Sequence, residues 1–225
     1  ALDSQIGFGV STICSFIDID PIVSQKAIIA AREVREKRED IKLVLACQTL
    51  KGVLDPQSAM MIRNHAPFLD IIGSLPSADG DKRSEHIDFV MNLAKQYNKM
   101  LHVHVDQLNC PSEKETELLA RKTIEHGMEG KVVAVHSLSL ASHPKTYRDE
   151  VYKICKDAGL MFISCPSAWL DHQRKEELQP WHNSLTPVDE ILENDLIVAI
   201  GTDNIEDVYK PYCDGDPMFE IGRAH

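Results

Sequence analysis

The feature that most constrains this chain is a regular alternation between two kinds of segment. Short apolar runs rich in β-branched residues occur at 11–19, 42–48, 68–74, 100–106, 131–137, 160–166 and 196–202. Between them lie longer segments with helical spacing, at 21–39, 56–66, 81–99, 111–127, 144–159 and 187–194. A strand that is apolar on both faces must be covered on both faces. Where helices separate such strands, the strands pair in parallel, because a parallel return needs a long crossover. Helix punctuation agrees: Pro56, Pro144 and Pro187 stand at helix starts, and Gly127 and Gly159 just past helix ends.

This pattern suits an open doubly wound sheet or a barrel. An open sheet usually carries a glycine-rich phosphate loop after its first strand, and here that strand runs into DIDP. Polar and ionisable residues gather instead at the C-terminal ends of successive runs: Asp18 and Asp20, Gln48, Asp106 and Gln107, His136, Asp203 and Asn204. Convergence of many strand ends on one face is how barrel active sites are built. The expected fold is therefore α/β, an incomplete TIM (β/α)8-type barrel with about seven βα units where closure needs eight, as one partial domain over 1–225. ALDSQIGFGVST reads as a helix end entering a strand, and MFEIGRAH as a helix beginning. The expectation is part of a longer protein that lacks a first βα unit.

Composition removes several classes. The 225 residues are 43% hydrophobic, enough for a substantial core, and carry a net charge of −11 spread along the chain. Such a surface does not suit a nucleic-acid partner, which needs clustered Lys and Arg. No run reaches transmembrane length and no basic-then-apolar leader is present, so no membrane partner and a cytoplasmic location are expected. Six cysteines (Cys14, Cys47, Cys110, Cys155, Cys165, Cys213) are scattered without a CxxC pair and read as buried thiols.

The segment LHVHVDQLN at 101–109 carries the chemistry. Alternate residues of a strand share a face, so His102, His104 and Asp106 are expected on one side and Val103 and Val105 on the other. Barrel interiors are normally filled by Val, Ile and Leu, and two histidines with an acid depart from that. Hydrogen-bonded core histidines are the rival explanation. A metal site is favoured because AVHS adds His136 one strand on and AIGTDN adds Asp203 two strands after that. Neutral imidazole with carboxylate suits one divalent ion, Zn²⁺ or Fe²⁺.

HVDQLN, VVAVHSLSLASHP and IVAIGTDNIEDVYKPYCDGDPMFE together resemble the amidohydrolase superfamily, within it the cytosine deaminase-like branch. The intervals of 32 residues from His104 to His136 and 67 from His136 to Asp203 are similar to those between that family's fifth-, sixth- and eighth-strand site residues. By this resemblance His104 is the fifth-strand metal ligand. Asp203 is the eighth-strand aspartate that ligates the metal and shuttles a proton from the attacking water. His136 is the sixth-strand histidine that polarises the substrate. Gln48, in LACQTLKG, resembles the substrate-orienting glutamine of the branch, and Asn204 stands where the deaminases have a second acid that contacts the ring. His102 has no counterpart and reads as packing. The chemistry implied is hydrolysis of a C–N bond in a small nitrogen heterocycle or a cyclic amide or amidine.

Two departures shape the expectation. The superfamily's H-x-H pair comes from the first strand, and HVHVD is not that pair, so the chain is expected to bind metal weakly or not at all and to be inactive by itself. Gln107 stands where cytosine deaminase has a ring-protonating glutamate, and an amide cannot deliver a proton as an acid. Gln107 can still hydrogen-bond a substrate carbonyl or ring nitrogen. The alternatives are an N-substituted triazine-type aminohydrolase, which tolerates loss of that acid, and a non-catalytic fragment or pseudoenzyme. A phosphate-binding or Schiff-base barrel is disfavoured, since no glycine-rich loop ends the last strands and no lysine sits within one. Self-association into a homo-oligomer, frequent in large barrel enzymes, stays open. Asp20 before Pro21 is expected to cap a helix. His65, His86, His126 and His143 read as surface histidines. Trp169, His172 and Trp181 fall in a long loop that either caps substrate or packs.

Overall fold

A computed structural model of the chain describes residues 1–169 and 185–224; His172 and Trp181 lie outside the described residues. After helix α1 (Leu2–Gly7), seven strands follow in chain order: β1 (Thr12–Asp18), β2 (Lys42–Gln48), β3 (Ile71–Ser74), β4 (Met100–Val105), β5 (Val132–His136), β6 (Met161–Ser164) and β7 (Ile197–Ile200). Each pairs in parallel with the next, giving one sheet with β1 and β7 at its edges. The crossovers carry α2 (Lys26–Lys37), α3 (Pro56–His65), α4 (Arg83–Gln96), α5 (Glu115–Glu125), α6 (Lys145–Asp157) and α7 (Val188–Glu193), and α8 (Pro217–Arg223) follows β7. This is a curled, incomplete TIM barrel.

Register divides the apolar residues into two cores. Leu43, Leu45, Leu101, Val103, Val105, Val132, Ala134 and Phe162 face outward and pack under the helices with Ile62, Ile87, Val90, Leu119 and Tyr152. On the concave side, Gly73, His102 and Val133 stand at one level across β3, β4 and β5. His104, Val135, Ile163 and Ala199 form the next level. Val133, Val135, Cys165 and Ala168 make a separate inner cluster joined by Ile163 and Trp169. Both histidines of the HVHVD run thus enter the barrel interior, as period-two alternation requires.

Local chemistry sets the element ends. Asp55 caps α3, its carboxylate accepting from the amides of Gln57 and Ser58 at 3.0 Å, with Pro56 at the first helical position. Gly127 and Gly159 take positive φ past α5 and α6. The 21–39 segment begins its helix late. Asp20 Oδ1 accepts from the amides of Ile22 and Val23 at 2.7 and 2.9 Å, which holds Pro21 to Gln25 in turns, and α2 starts only at Lys26.

Two histidines expected at the surface are buried. His86 lies on the face of α4 that also buries Ile87, Val90 and Leu93. Ser74, outward-facing because its neighbour Gly73 faces in, meets it there. His86 Nε2 is 2.6 Å from Ser74 Oγ and Nδ1 is 2.6 Å from Asp79 Oδ2, while Asp79 Oδ2 accepts from the Val53 amide at 2.8 Å. The array resembles a hydrolytic triad, yet Ser74 is wholly buried under α4 and no substrate reaches it. Its effect is to tie the loop after β2 to that after β3. His143 is buried because its Nε2 donates to the Glu113 carbonyl at 2.7 Å, joining the loops after β4 and β5. His65 and His126 are half-buried on their helices. All six cysteines are free, and only Cys14 is exposed.

Gly73 leaves no room for a side chain: a Cβ there would lie 1.8 Å from the Cys47 carbonyl oxygen and 3.0 Å from the Phe16 ring. Because the obstacle is backbone, Gly73→Ala is expected to cost at least the ~1–3 kcal/mol of an overpacked core. Urea unfolding of the variant checks this, and an unchanged midpoint would contradict the close approach of β3 to β2 at this position.

Candidate active site at the C-terminal strand ends

The site forms where β4, β5 and β7 end. His104, on the inward face of β4, is buried, with the Phe16 ring edge-on at 4.7 Å. Its Nδ1 lies 3.1 Å from His136 Nε2. His136 Nε2 in turn lies 4.0 Å from Asp203 Oδ2 on the segment after β7. Three of the residues expected from sequence to act together are therefore neighbours.

Strict alternation would not have produced this group. His136 pairs with Val105, whose side chain packs outward, so an extended His136 would point under the helices. It is instead left-handed (φ 78), and its ring turns back onto His104. Thr186 Oγ1 donates to the His136 carbonyl at 2.5 Å and holds the turn. Asp106 undergoes the opposite exchange. Expected inward with His102 and His104, it is left-handed too (φ 53), and its carboxylate leaves the barrel interior for the start of α5. There Oδ1 and Oδ2 accept from the amides of Glu115 and Thr116 at 2.7 and 3.0 Å, and Glu115 Oε2 accepts from the Asp106 amide at 3.1 Å. Unsatisfied helix N-terminal amides are what attract it.

Burial controls the charges. It draws His102 and His104 down to about 4 and His136 well below the usual histidine range, the last two also by the neighbouring imidazole. All three rings are neutral at pH 7. Asp203 is raised to about 6, first by desolvation and then by the charge of Asp207. A neutral imidazole pair beside a carboxyl that releases its proton near neutrality suits proton transfer.

Two imidazole nitrogens, His102 Nδ1 and His104 Nε2, are buried without a hydrogen-bond partner among the described residues. An unsatisfied ring nitrogen is costly inside a protein, and on a face that also holds a carboxylate it fits a ligand to a divalent ion. His104 and Asp203 therefore fit such an ion. Among the described residues no trio of ligand atoms within 4.8 Å of one another includes either. The trio that does occur, Asp88, Glu125 and His126, is an ion-pair cluster outside the barrel, where Lys122 reaches both carboxylates at 2.8 and 3.0 Å.

The remaining expected residues lie at strand ends or in the segments that follow them. Gln48 ends β2, half-buried, with Oε1 accepting from the Thr49 amide at 3.2 Å. Gln107 is half-buried on the loop after β4. Asn204 donates from Nδ2 to Asp207 Oδ2 at 2.5 Å, while Asp207 Oδ1 accepts from the amides of Tyr209 and Lys210. Trp169, weighed from sequence as loop packing or a cap, reaches the centre itself, its Nε1 3.0 Å from His136 Nδ1. No sequence spacing signals that contact.

The loop bearing Gln107 rests on Glu113, whose Oε2 accepts from the Leu108 amide and from Ser139 Oγ, both at 2.6 Å. Burial raises Glu113 to about 7. A carboxyl raised on folding favours the folded state while protonated, and that contribution is lost as pH rises from about 4.5 through about 7. Glu113→Gln is therefore expected to flatten the fall of Tm between pH 5 and pH 8. A wild-type slope retained in the variant would place the titration elsewhere.

No family profile matches the chain. An uncharacterized protein of Haemophilus influenzae is 47% identical over 196 residues, 85% of this chain and 71% of that protein. The N-isopropylammelide isopropyl amidohydrolase of Pseudomonas sp. is 27% identical over 217 residues, 94% of this chain and 50% of the enzyme. In structure, 5-methylcytosine deaminase from Klebsiella pneumoniae superposes with a TM-score of 0.88 at 24% identity, over 98% of this chain and 54% of that one. N-isopropylammelide isopropylaminohydrolase from Burkholderia multivorans gives 0.80 at 20% identity, over 96% and 53%. The chain thus spans about half the length of the enzymes it matches.

Proposed function

We propose that the chain is a member of the amidohydrolase superfamily, in its cytosine deaminase-like branch, and carries part of the active site of a metal-dependent hydrolase of C–N bonds in a small nitrogen heterocycle. The observation that supports this is the meeting of His104, His136 and Asp203 from three different strand ends on one face of the barrel. In this reading His104 and Asp203 would hold one divalent ion, Zn²⁺ or Fe²⁺, together with an H-x-H pair that the seven strands do not contain. What such an ion supplies is a water acidic enough to lose a proton near neutral pH. Asp203 would accept a proton from the attacking water and pass it to the leaving amine. His136 donates a hydrogen bond to the atom under attack, and Gln48 and Asn204 orient the ring.

Gln107 decides between substrates. An amide donates a hydrogen bond but cannot protonate a ring nitrogen as a carboxylic acid does. This supports an N-substituted triazine-type substrate over cytosine, in keeping with the isopropyl amidohydrolase relative. The chemistry is then hydrolytic loss of an alkylamine, with water oxygen replacing nitrogen on the ring carbon. A non-catalytic chain that retains the barrel only to pack or bind is the alternative.

The test is turnover by the full-length gene product, loaded with zinc or iron, of cytosine, N-alkylated triazines and creatinine-like rings. The expected result is preference for an N-alkylated ring, with Gln107→Glu raising cytosine turnover. No turnover of any ring by the metal-loaded protein would favour the non-catalytic reading. Asp203→Asn is expected to lower kcat by ~10²–10⁴, the usual worth of a positioned acid–base group. His104→Ala is expected to lower bound metal, measured by elemental analysis.

A further inference from the structure

The 3₁₀ turn Pro166–Trp169 after β6 lays an indole against the end of β5. Trp169 Nε1 is 3.0 Å from His136 Nδ1, with ring centroids 5.3 Å apart and planes at 74°. An indole N–H only donates. His136 Nδ1 must therefore accept, and it carries no proton. That excludes the imidazolium and the Nδ1–H tautomer while the bond stands. The ring's single proton sits on Nε2, which lies 3.1 Å from His104 Nδ1 and 4.0 Å from Asp203 Oδ2.

We propose that Trp169 is a positioning residue that fixes His136 as its Nε2–H tautomer and so aims a proton, not a lone pair, at the reaction centre. The usual partner of a functional histidine is a carbonyl or carboxylate on Nδ1–H, which leaves Nε2 as acceptor or ligand. An indole donor at Nδ1 reverses that polarity. His136 then presents a hydrogen-bond donor to a substrate nitrogen or a developing oxyanion, and it cannot itself ligate a cation or take the water's proton. Both tasks fall to other groups, which leaves the carboxylate of Asp203 as the base of the trio. In the metal-free chain the same bond makes His104 accept at Nδ1, so the ligand role given to His104 Nε2 requires that His104 Nδ1 and His136 Nε2 move apart.

Packing alone would also place Trp169 here, against Val133, Val135, Cys165 and Ala168. Trp169→Phe separates the two roles, because it keeps an aromatic ring and removes the N–H. The tautomer is read directly by long-range ¹H–¹⁵N NMR of histidine-labelled chain, with the His136 signals assigned by their loss in His136→Gln. The expected wild-type pattern is a protonated Nε2 and an unprotonated Nδ1; in Trp169→Phe a population with protonated Nδ1 appears. A wild-type His136 protonated on Nδ1, or a pattern unmoved by Trp169→Phe, would overturn the proposal. Should Trp169→Phe fail to fold, the Trp169 indole signal of the wild type serves instead. It is expected to shift upfield and exchange faster in His136→Gln, and an unmoved signal would count against the bond. The catalytic consequence rests on the hydrolase reading: Trp169→Phe then lowers kcat about 10- to 100-fold with KM little changed, on the scale of losing an outer-shell orienting partner. The NMR pattern decides the tautomer whether or not turnover is found, so the two readings fail separately.

Discussion

A parallel strand deals its side chains to two faces in turn, and a single left-handed residue at its end cancels that rule. The centre depends on this at three strand ends. Asp106, His136 and Asp203 are all left-handed, at φ 53, 78 and 59. Each such residue costs on the order of 1–3 kcal/mol unless its surroundings impose it. For Asp106 the compensation is the capping exchange with Glu115, and Glu115 is itself paired to Arg83 at 2.5 Å. For His136 it is the Thr186 hydroxyl on its carbonyl and the two ring contacts at its nitrogens.

The frame around the centre is tied at its loops. Thr49 Oγ1 accepts from the Leu75 amide at 3.0 Å, and Asp79 holds Val53, so the loop after Gln48 is pinned to the next unit. The loop carrying Gln107 is pinned in the same way by Glu113, Ser139 and His143. Polar side chains do this because loop backbones over a sheet have amides that no strand partner satisfies. Among the described residues no helix is long and apolar enough to cross a membrane. The barrel rests on its own two cores, one under the helices and one inside the sheet.

Much of this is legible in the sequence because it follows from local periodicity. The seven apolar runs are seven parallel strands, and His104, His136 and Asp203, far apart along the chain, meet on one face. The inward aim of His102 and His104 needs only alternation. Sequence reading fails where a residue's partner is remote along the chain. His86 reads as a polar helix residue until Ser74 and Asp79 are set beside it, and Asp106 reads as inward until α5 offers its free amides. His136 joins the centre although its strand position alone points it the wrong way.

The sequence by itself determined the strand–helix order, the parallel pairing and the residue types available for chemistry, because these depend on composition and spacing along the chain. Tertiary structure alone decided which way the strand-end residues turn, since a left-handed backbone is stable only where distant groups hold it. It also decided that an indole 33 residues beyond His136 reaches Nδ1 of that ring. A proton's place on an imidazole is set by whichever donor or acceptor space brings near, and no local pattern encodes that.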